Sequence, residues 1–243
     1  MTAACPIAVL QPFLPAGTSA YVEELLGRHA FHVRLARPRR SKLGDHMPPV
    51  RGRPAHRISI NDDLNPYAFL TTLLHEIAHA ATWERHERGR RWGRRLRPHG
   101  SEWKREYRGI LEPVVALGVL PADVEAAVSR SMNRLAAATC SDRDLLLALA
   151  RYDRVDPRFI RVEEVAIGGF FRTGSGAVFR AGRPLRSRRQ CFELRTGNEY
   201  RVHGLARVEP LEKAPAISGP AGPSAKRSGR SSGSSGLRGS PGR

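Results

Sequence analysis

The sequence predicts an α+β protein in two folded parts followed by a disordered tail. Three observations carry this reading. Apolar residues recur at helical spacing through 66–83, behind two short alternating segments at 30–36 and 56–61. From about residue 160 the pattern changes to alternation punctuated by glycine turns, which reads as a small antiparallel β module over 158–211. Residues 214–243 are mostly Pro, Gly, Ser and basic residues, with five positive charges and no acid, a composition that cannot bury a core. The expected parts are therefore 1–155, 158–211 and a basic tail over 212–243.

Within the first part, residues 18–29 set Tyr21, Val22, Leu25 and Leu26 on one helical face. Phe31, Val33 and Leu35 then alternate along 30–36, as in a strand. Residues 37–55 are rich in Arg, Pro and Gly and read as a long loop. In HRISIN at 56–61, Ile58 and Ile60 face one way. The helix that follows has the strongest signal. Asn65 can accept from the free N–H groups of its first turn, and Pro66 lacks an N–H that would be unpaired there. Phe69, Leu70, Leu73, Leu74, Ile77, Ala78 and Ala81 give its periodicity. Residues 85–98 are almost all basic or Gly. A further helix is expected from Ser101 towards Pro113, with Trp103 and Tyr107 one turn apart, and two more over 121–135 and 141–152. Ser141 with Asp144 has the pattern of a capping box. In the β module, the segments 174–176 and 197–198 read as hairpin turns.

The formal net charge is +18, a surplus that favours polyanionic partners such as nucleic acid. Only four of the 41 basic residues are Lys, and a GC-rich coding bias toward Arg explains such a surplus equally well. Cys5, Cys140 and Cys191 form no C-x-x-C pair, which argues against a zinc ribbon and a disulfide framework. Free thiols fit a reducing compartment. The N-terminus has no basic n-region and is broken by prolines, unlike a signal peptide. No stretch approaches the roughly 18 apolar residues of a membrane span. A cytoplasmic protein is expected, nucleoid-associated if the charge serves DNA.

HEIAH at 75–79 carries the chemistry. On a helix, residues i and i+4 share a face, so the imidazoles of His75 and His79 can reach one metal ion. Zn2+ suits neutral imidazole, and a catalytic site keeps one position open for water. Glu76 sits beside the pair and can take the proton of a water that zinc acidifies. Two surface histidines on an amphipathic helix would be the plain alternative. It does not explain why His75, Glu76 and His79 interrupt an apolar stretch, where unpaired polar groups are costly. A third ligand must come from His86, His99, Glu84, Glu87 or Glu102. His99 is the best placed, because Gly100 would let a tight turn present it at a helix start; Glu102 is the alternative.

HEIAHA followed after an insert by HGSEWK resembles the SprT-like metallopeptidases, the family of the Spartan proteases, which degrade proteins crosslinked to DNA. The resemblance covers about residues 10–155 and includes RRSKLG at 39–44 and RISINDDLNPYAFL at 57–70. It implies a zincin-like fold for that region, zinc held by His75, His79 and His99, and Glu76 as catalytic base. It also implies DNA-bound or DNA-crosslinked protein substrates and a place in the DNA damage response. Residues 168–209 are similar to a β extension that some bacterial members carry. The family's Cys-rich ribbon is missing, and nothing resembles a PCNA- or ubiquitin-binding motif.

Segment 85–108 holds ten Arg or Lys against three acids, interleaved with aromatic residues. Arginines bind phosphates and rings stack on unpaired bases. Arg90, Arg91, Trp92, Arg94 and Arg95 are thus candidate contacts to single-stranded or junction DNA. Trp103 and Tyr107 are expected to be packing residues. Arg39, Arg40 and Lys42 either extend the patch or are solvated. The β module adds Arg172, Arg180, Arg183, Arg186, Arg188 and Arg189, and its Phe170, Phe171, Phe179, Phe192 and Tyr200 are expected to fill its core. The expected function is a zinc-dependent endopeptidase acting on a protein or peptide that pairs with strand 57–61. The alternative is a non-proteolytic, zinc-containing nucleic-acid-binding protein.

Overall fold

The computed structural model describes residues 7–39, 42–88, 96–133, 142–154 and 156–215. The chain divides into two compact units, Met1–Arg154 and Val155–Arg243. Both helices and sheets are present, so the protein is of mixed α+β class.

The first unit contains helices α1 (Ile7–Leu10), α2 (Ser19–Gly27), α3 (Pro66–His86), α4 (Ser101–Ala116), α5 (Ala122–Asn133) and α6 (Arg143–Ala150). Its strands are β1 (Phe31–Ala36), β2 (Gly44–Met47) and β3 (His56–Asn61), in the order β1-β3-β2. β1 runs parallel to β3, and β2 runs antiparallel to it. The core forms where α3 lays its apolar face on this sheet. Phe69, Leu70, Leu73 and Leu74 are wholly buried against Ile58, Ile60, Val22 and Leu25. At the start of α3, Asn65 Oδ1 accepts from the N–H groups of Tyr67 (3.1 Å) and Ala68 (3.0 Å), while its Nδ2 donates to Leu149 O (3.0 Å). One side chain thereby caps the helix and ties it to α6.

Four expectations change here. The segment 37–55 is not all loop, because it contains β2. GDHM has no apolar alternation; it becomes a strand by pairing with the buried β3, with Gly44 opposite Ile60 and His46 opposite Ile58. Nor is Arg39 solvated. Its Nε donates to Asn61 Oδ1 (2.8 Å) and its NH1 to Ser59 Oγ (2.9 Å), and Asn61 Nδ2 donates back to Arg39 O (3.0 Å). This clamp fixes the entry to β2 onto the end of β3. Finally, α6 is capped by Asp142, whose Oδ1 accepts from Asp144 N at 3.1 Å. Ser141 lies outside the described residues. α4 also continues past Pro113, whose missing N–H leaves the carbonyl four residues earlier, that of Gly109, without its helical bond.

The second unit is an antiparallel sheet of β4 (Ile160–Arg161), β5 (Phe170–Arg172), β6 (Val178–Pro184), β7 (Arg188–Glu193), β8 (Glu199–His203) and β9 (Arg207–Leu211), in the order β4-β9-β5-β6-β7-β8. Gly176 and Gly197 turn its hairpins with φ of +85° and +72°. Phe171, Phe179, Ala181, Cys191 and Val208 form its core with Val162 and Val165. Phe170 and Phe192 do not join that core. Each is next in sequence to a core residue, and neighbours along a strand face opposite ways. Tyr200 is exposed and meets the edge of Phe179 at 5.4 Å. Buried Arg189 instead anchors the core, its NH1 donating to the carbonyls of Val162, Glu163 and Val165.

Candidate metal centre

α3 and the turn before α4 bring three imidazoles to one point. His75 and His79 are one turn apart on the same helical face. His99 arrives from the turn at 97–100 with a φ of 58°, a left-handed conformation that is uncommon for a non-glycine residue. The unusual backbone thus falls on His99 rather than on Gly100, whose φ of −69° is ordinary. Gly100 matters through crowding: a Cβ there would lie 3.0 Å from Arg97 O.

The Nε2 atom of His79 lies 3.2 Å from that of His75 and 3.1 Å from that of His99, and His99 and His75 are 3.0 Å apart. A tetrahedral cation with nitrogens at about 2.0–2.1 Å holds them about 3.3 Å apart. The three nitrogens therefore have the spacing of ligands to a single small cation, and they can hold a metal ion. Hydrogen bonds among the rings do not account for this geometry. A neutral imidazole has one N–H, and with all three Nε2 atoms turned inward either lone pairs or hydrogens must face one another. Burial, assisted by the neighbouring rings, pushes His75 down to about 3 and His79 to about 4; burial and then Lys104 also lower His99. All three are thus kept in the neutral form that ligates metals.

Trp103 walls the centre. Its ring centroid is 4.6 Å from His75, 5.3 Å from His79 and 4.7 Å from His99, and it stacks on Tyr107. Both aromatic residues are buried, as expected of packing residues. The other proposed third ligands stay outside the group. Glu102 accepts from Ser101 Oγ at 3.0 Å, and Glu84 accepts from His56 Nε2 at 3.1 Å and Arg88 NH1 at 2.8 Å. His86 and Glu87 are likewise not among the converging residues.

Glu76 is 6% exposed and lies under β2, where a Cβ added to Gly44 would come within 2.5 Å of its Oε1. Burial, with Asp45 adding, raises its carboxyl to about 8, against the pull of Lys42 and Arg39. A cation beside it would lower that value, since a bound ion is the largest local charge in such a site.

A second set of residues went unread in the sequence. His46 Nε2 lies 2.9 Å from His56 Nδ1, and His56 continues to Glu84 and on to Arg88. The His46 ring stacks parallel to His79, with centroids 6.2 Å apart. Period-2 spacing could have found His56, which shares the parity of Ile58 and Ile60 and so faces the core. Arg90, Arg91, Trp92, Arg94 and Arg95 lie outside the described residues. No helix among the described residues is long and apolar enough to cross a membrane. Comparison with family models, curated proteins and solved structures returned no match.

Proposed function

We propose that the unit Met1–Arg154 is a zinc-dependent endopeptidase of SprT-like type with a zincin-like arrangement of helix and edge strand. The convergence of three Nε2 atoms beside buried Glu76 is the observation that carries this reading. Zinc held there supplies Lewis acidity, which polarises a carbonyl and acidifies a water. His75, His79 and His99 hold the ion as neutral donors. Glu76 takes a proton at its carboxylate and returns it to the leaving amine. β3 cannot receive the substrate, because β1 and β2 occupy both its edges. Of the two edge strands, β1 and β2, it is β2 that turns Gly44 and His46 toward α3. An extended peptide adds to β2, with its backbone hydrogen-bonded along the free edge.

The +18 surplus supports substrates held on nucleic acid. A purely structural zinc would call for a fourth protein ligand, and Glu102, the expected source, is turned to Ser101. Cleavage of a DNA-bound protein, with and without chelator, tests the proposal. Glu76→Gln should keep its metal and lose cleavage. Cleavage that survives either the chelator or this substitution overturns the reading.

A further inference from the structure

The face of the second unit opposite its core carries a row of alternating rings and guanidinium. Phe170 on β5 pairs with Arg180 on β6, and Arg180 pairs with Phe192 on β7. All three point away from Phe171, Phe179 and Cys191, which are buried on the other face. Arg180 Cζ stands 5.2 Å from the centroid of the Phe192 ring. Gly182, next along β6 on this face, leaves room for that ring, since a Cβ there would lie 3.3 Å from Phe192 Cε2. On the adjoining rows Gln190 faces Arg201 and Arg188 faces His203. Glu199 ends the row on β8, opposite Phe192.

Phe170 and Phe192 are half-buried, whereas Arg180, Arg188 and Arg201 are exposed. Arg172 on the same face is paired with Glu209 at 2.9 Å. The other three arginines have no carboxylate partner among the described residues. Two strand spacings, about 10 Å, separate the rings of Phe170 and Phe192. They do not stack on each other, and an exposed arginine, not a second ring, covers Phe192.

We propose that this face binds single-stranded nucleic acid. Flat rings interleaved with guanidiniums that no carboxylate neutralises provide, on an open sheet, stacking surfaces for splayed bases and positive charge for the phosphates between them. A duplex offers no open base face to such rings. The inference rests on this sheet alone and stands whether or not the metal centre cleaves peptides.

The test uses the full-length protein at one fixed salt concentration, because phosphate contacts elsewhere on so basic a chain depend on salt. Fluorescence anisotropy with short oligo-dT, oligo-rU and a mixed-sequence duplex compares wild type with Phe170→Leu/Phe192→Leu, which leaves the charge unchanged. Single-strand affinity should fall at least about fivefold per ring, with duplex affinity unchanged. A loss on the dT arm, the rU arm or both supports the proposal and identifies the strand. Unchanged single-strand affinity, or an equal loss on the duplex, overturns it. Should the double variant fail to fold, Arg180→Gln/Arg201→Gln alters only exposed side chains and should weaken single-strand binding about tenfold; no change overturns the proposal. Photocrosslinking of a 5-iodouracil oligonucleotide should mark peptides containing Phe170 or Phe192. Adducts confined to 85–108 would overturn it.

Discussion

The Nε2–H of His46 donates to Nδ1 of His56, 2.9 Å away, and Glu84 sets that direction. Although burial alone would raise it, hydrogen bonds from His56 and Arg88 hold the Glu84 carboxyl below its ordinary range, so it is an acceptor only. His56 must then carry its proton on Nε2, which leaves Nδ1 to accept from β2. A chain of side chains thus runs from the end of α3 through the central strand to the edge strand. Replacing His56 with Leu removes the acceptor of His46 and the donor of Glu84 together. We expect a stability loss of about 1–3 kcal/mol with metal stoichiometry unchanged, because neither residue belongs to the three-histidine group. Urea melts and metal analysis check this; unaltered stability would show that the chain does not hold β2.

Metal-free stability should fall with acid. Burial holds His46 and His75 down to about 3 and His79 to about 4, whereas an unfolded chain titrates near ~6.5. The unfolded form takes up protons that the folded form refuses. The stabilisation is therefore fully present above about pH 6.5 and is lost progressively as pH drops through about 4 and then 3. Glu76 works the other way. Its folded value of about 8 stands above 4.5, so its contribution is present below pH 4.5 and is lost as pH rises through 8. After chelation, Glu76→Gln should exceed wild type in stability by at least about 1 kcal/mol above pH 8, and the gap should close near pH 4.5. Denaturant melts across that range measure it; a constant gap would mean that Glu76 is not protonated in the metal-free fold.

Bound metal should stabilise the fold by an amount that grows with the logarithm of its free concentration, since only the folded chain brings the three imidazoles together. Zinc added to chelated protein should raise the melting temperature by several degrees, and His99→Ala should abolish most of that rise. His99 is the informative position because it reaches the centre from outside α3, through a left-handed backbone in the turn at 97–100. A melting temperature that responds equally in the variant would move the third ligand elsewhere.

The centre was legible where chemistry and periodicity coincide. His75, Glu76 and His79 interrupt an apolar helical stripe, and a polar interruption of a buried face asks for a reason. His99 followed from its place just before a helix start. β2 was not legible, because a strand of Gly, Asp, His and Met carries no alternation of its own and exists through its pairing with β3. His46 was invisible for the same reason. Counting aromatic residues overstates the core of the β module: Phe171 and Cys191 take its inner positions, and parity turns their neighbours Phe170 and Phe192 outward. Arg39 reads as a solvated charge in a basic loop until Asn61 and Ser59, distant in sequence, are seen to receive it.

Gly44 provides the sharpest separation of metal binding from catalysis. A methyl group at this position would sit 2.5 Å from Glu76 Oε1 and 2.7 Å from Thr72 Cγ2, distances that no packing arrangement accepts. Either β2 lifts from α3 or the Glu76 carboxylate swings away, and overpacking of this kind costs about 1–3 kcal/mol. His75, His79 and His99 come from α3 and the turn before α4, not from β2, so the three-nitrogen group stays intact. Gly44→Ala should therefore bind zinc with unchanged stoichiometry while cleaving its substrate at least tenfold more slowly, by the loss of Glu76 alignment and of the substrate's edge strand. Thermal melts confirm that the variant is folded, and metal analysis with a cleavage assay reads the two effects apart. Full cleavage by a folded Gly44→Ala protein would mean that the close approach of β2 to Glu76 plays no part in the chemistry.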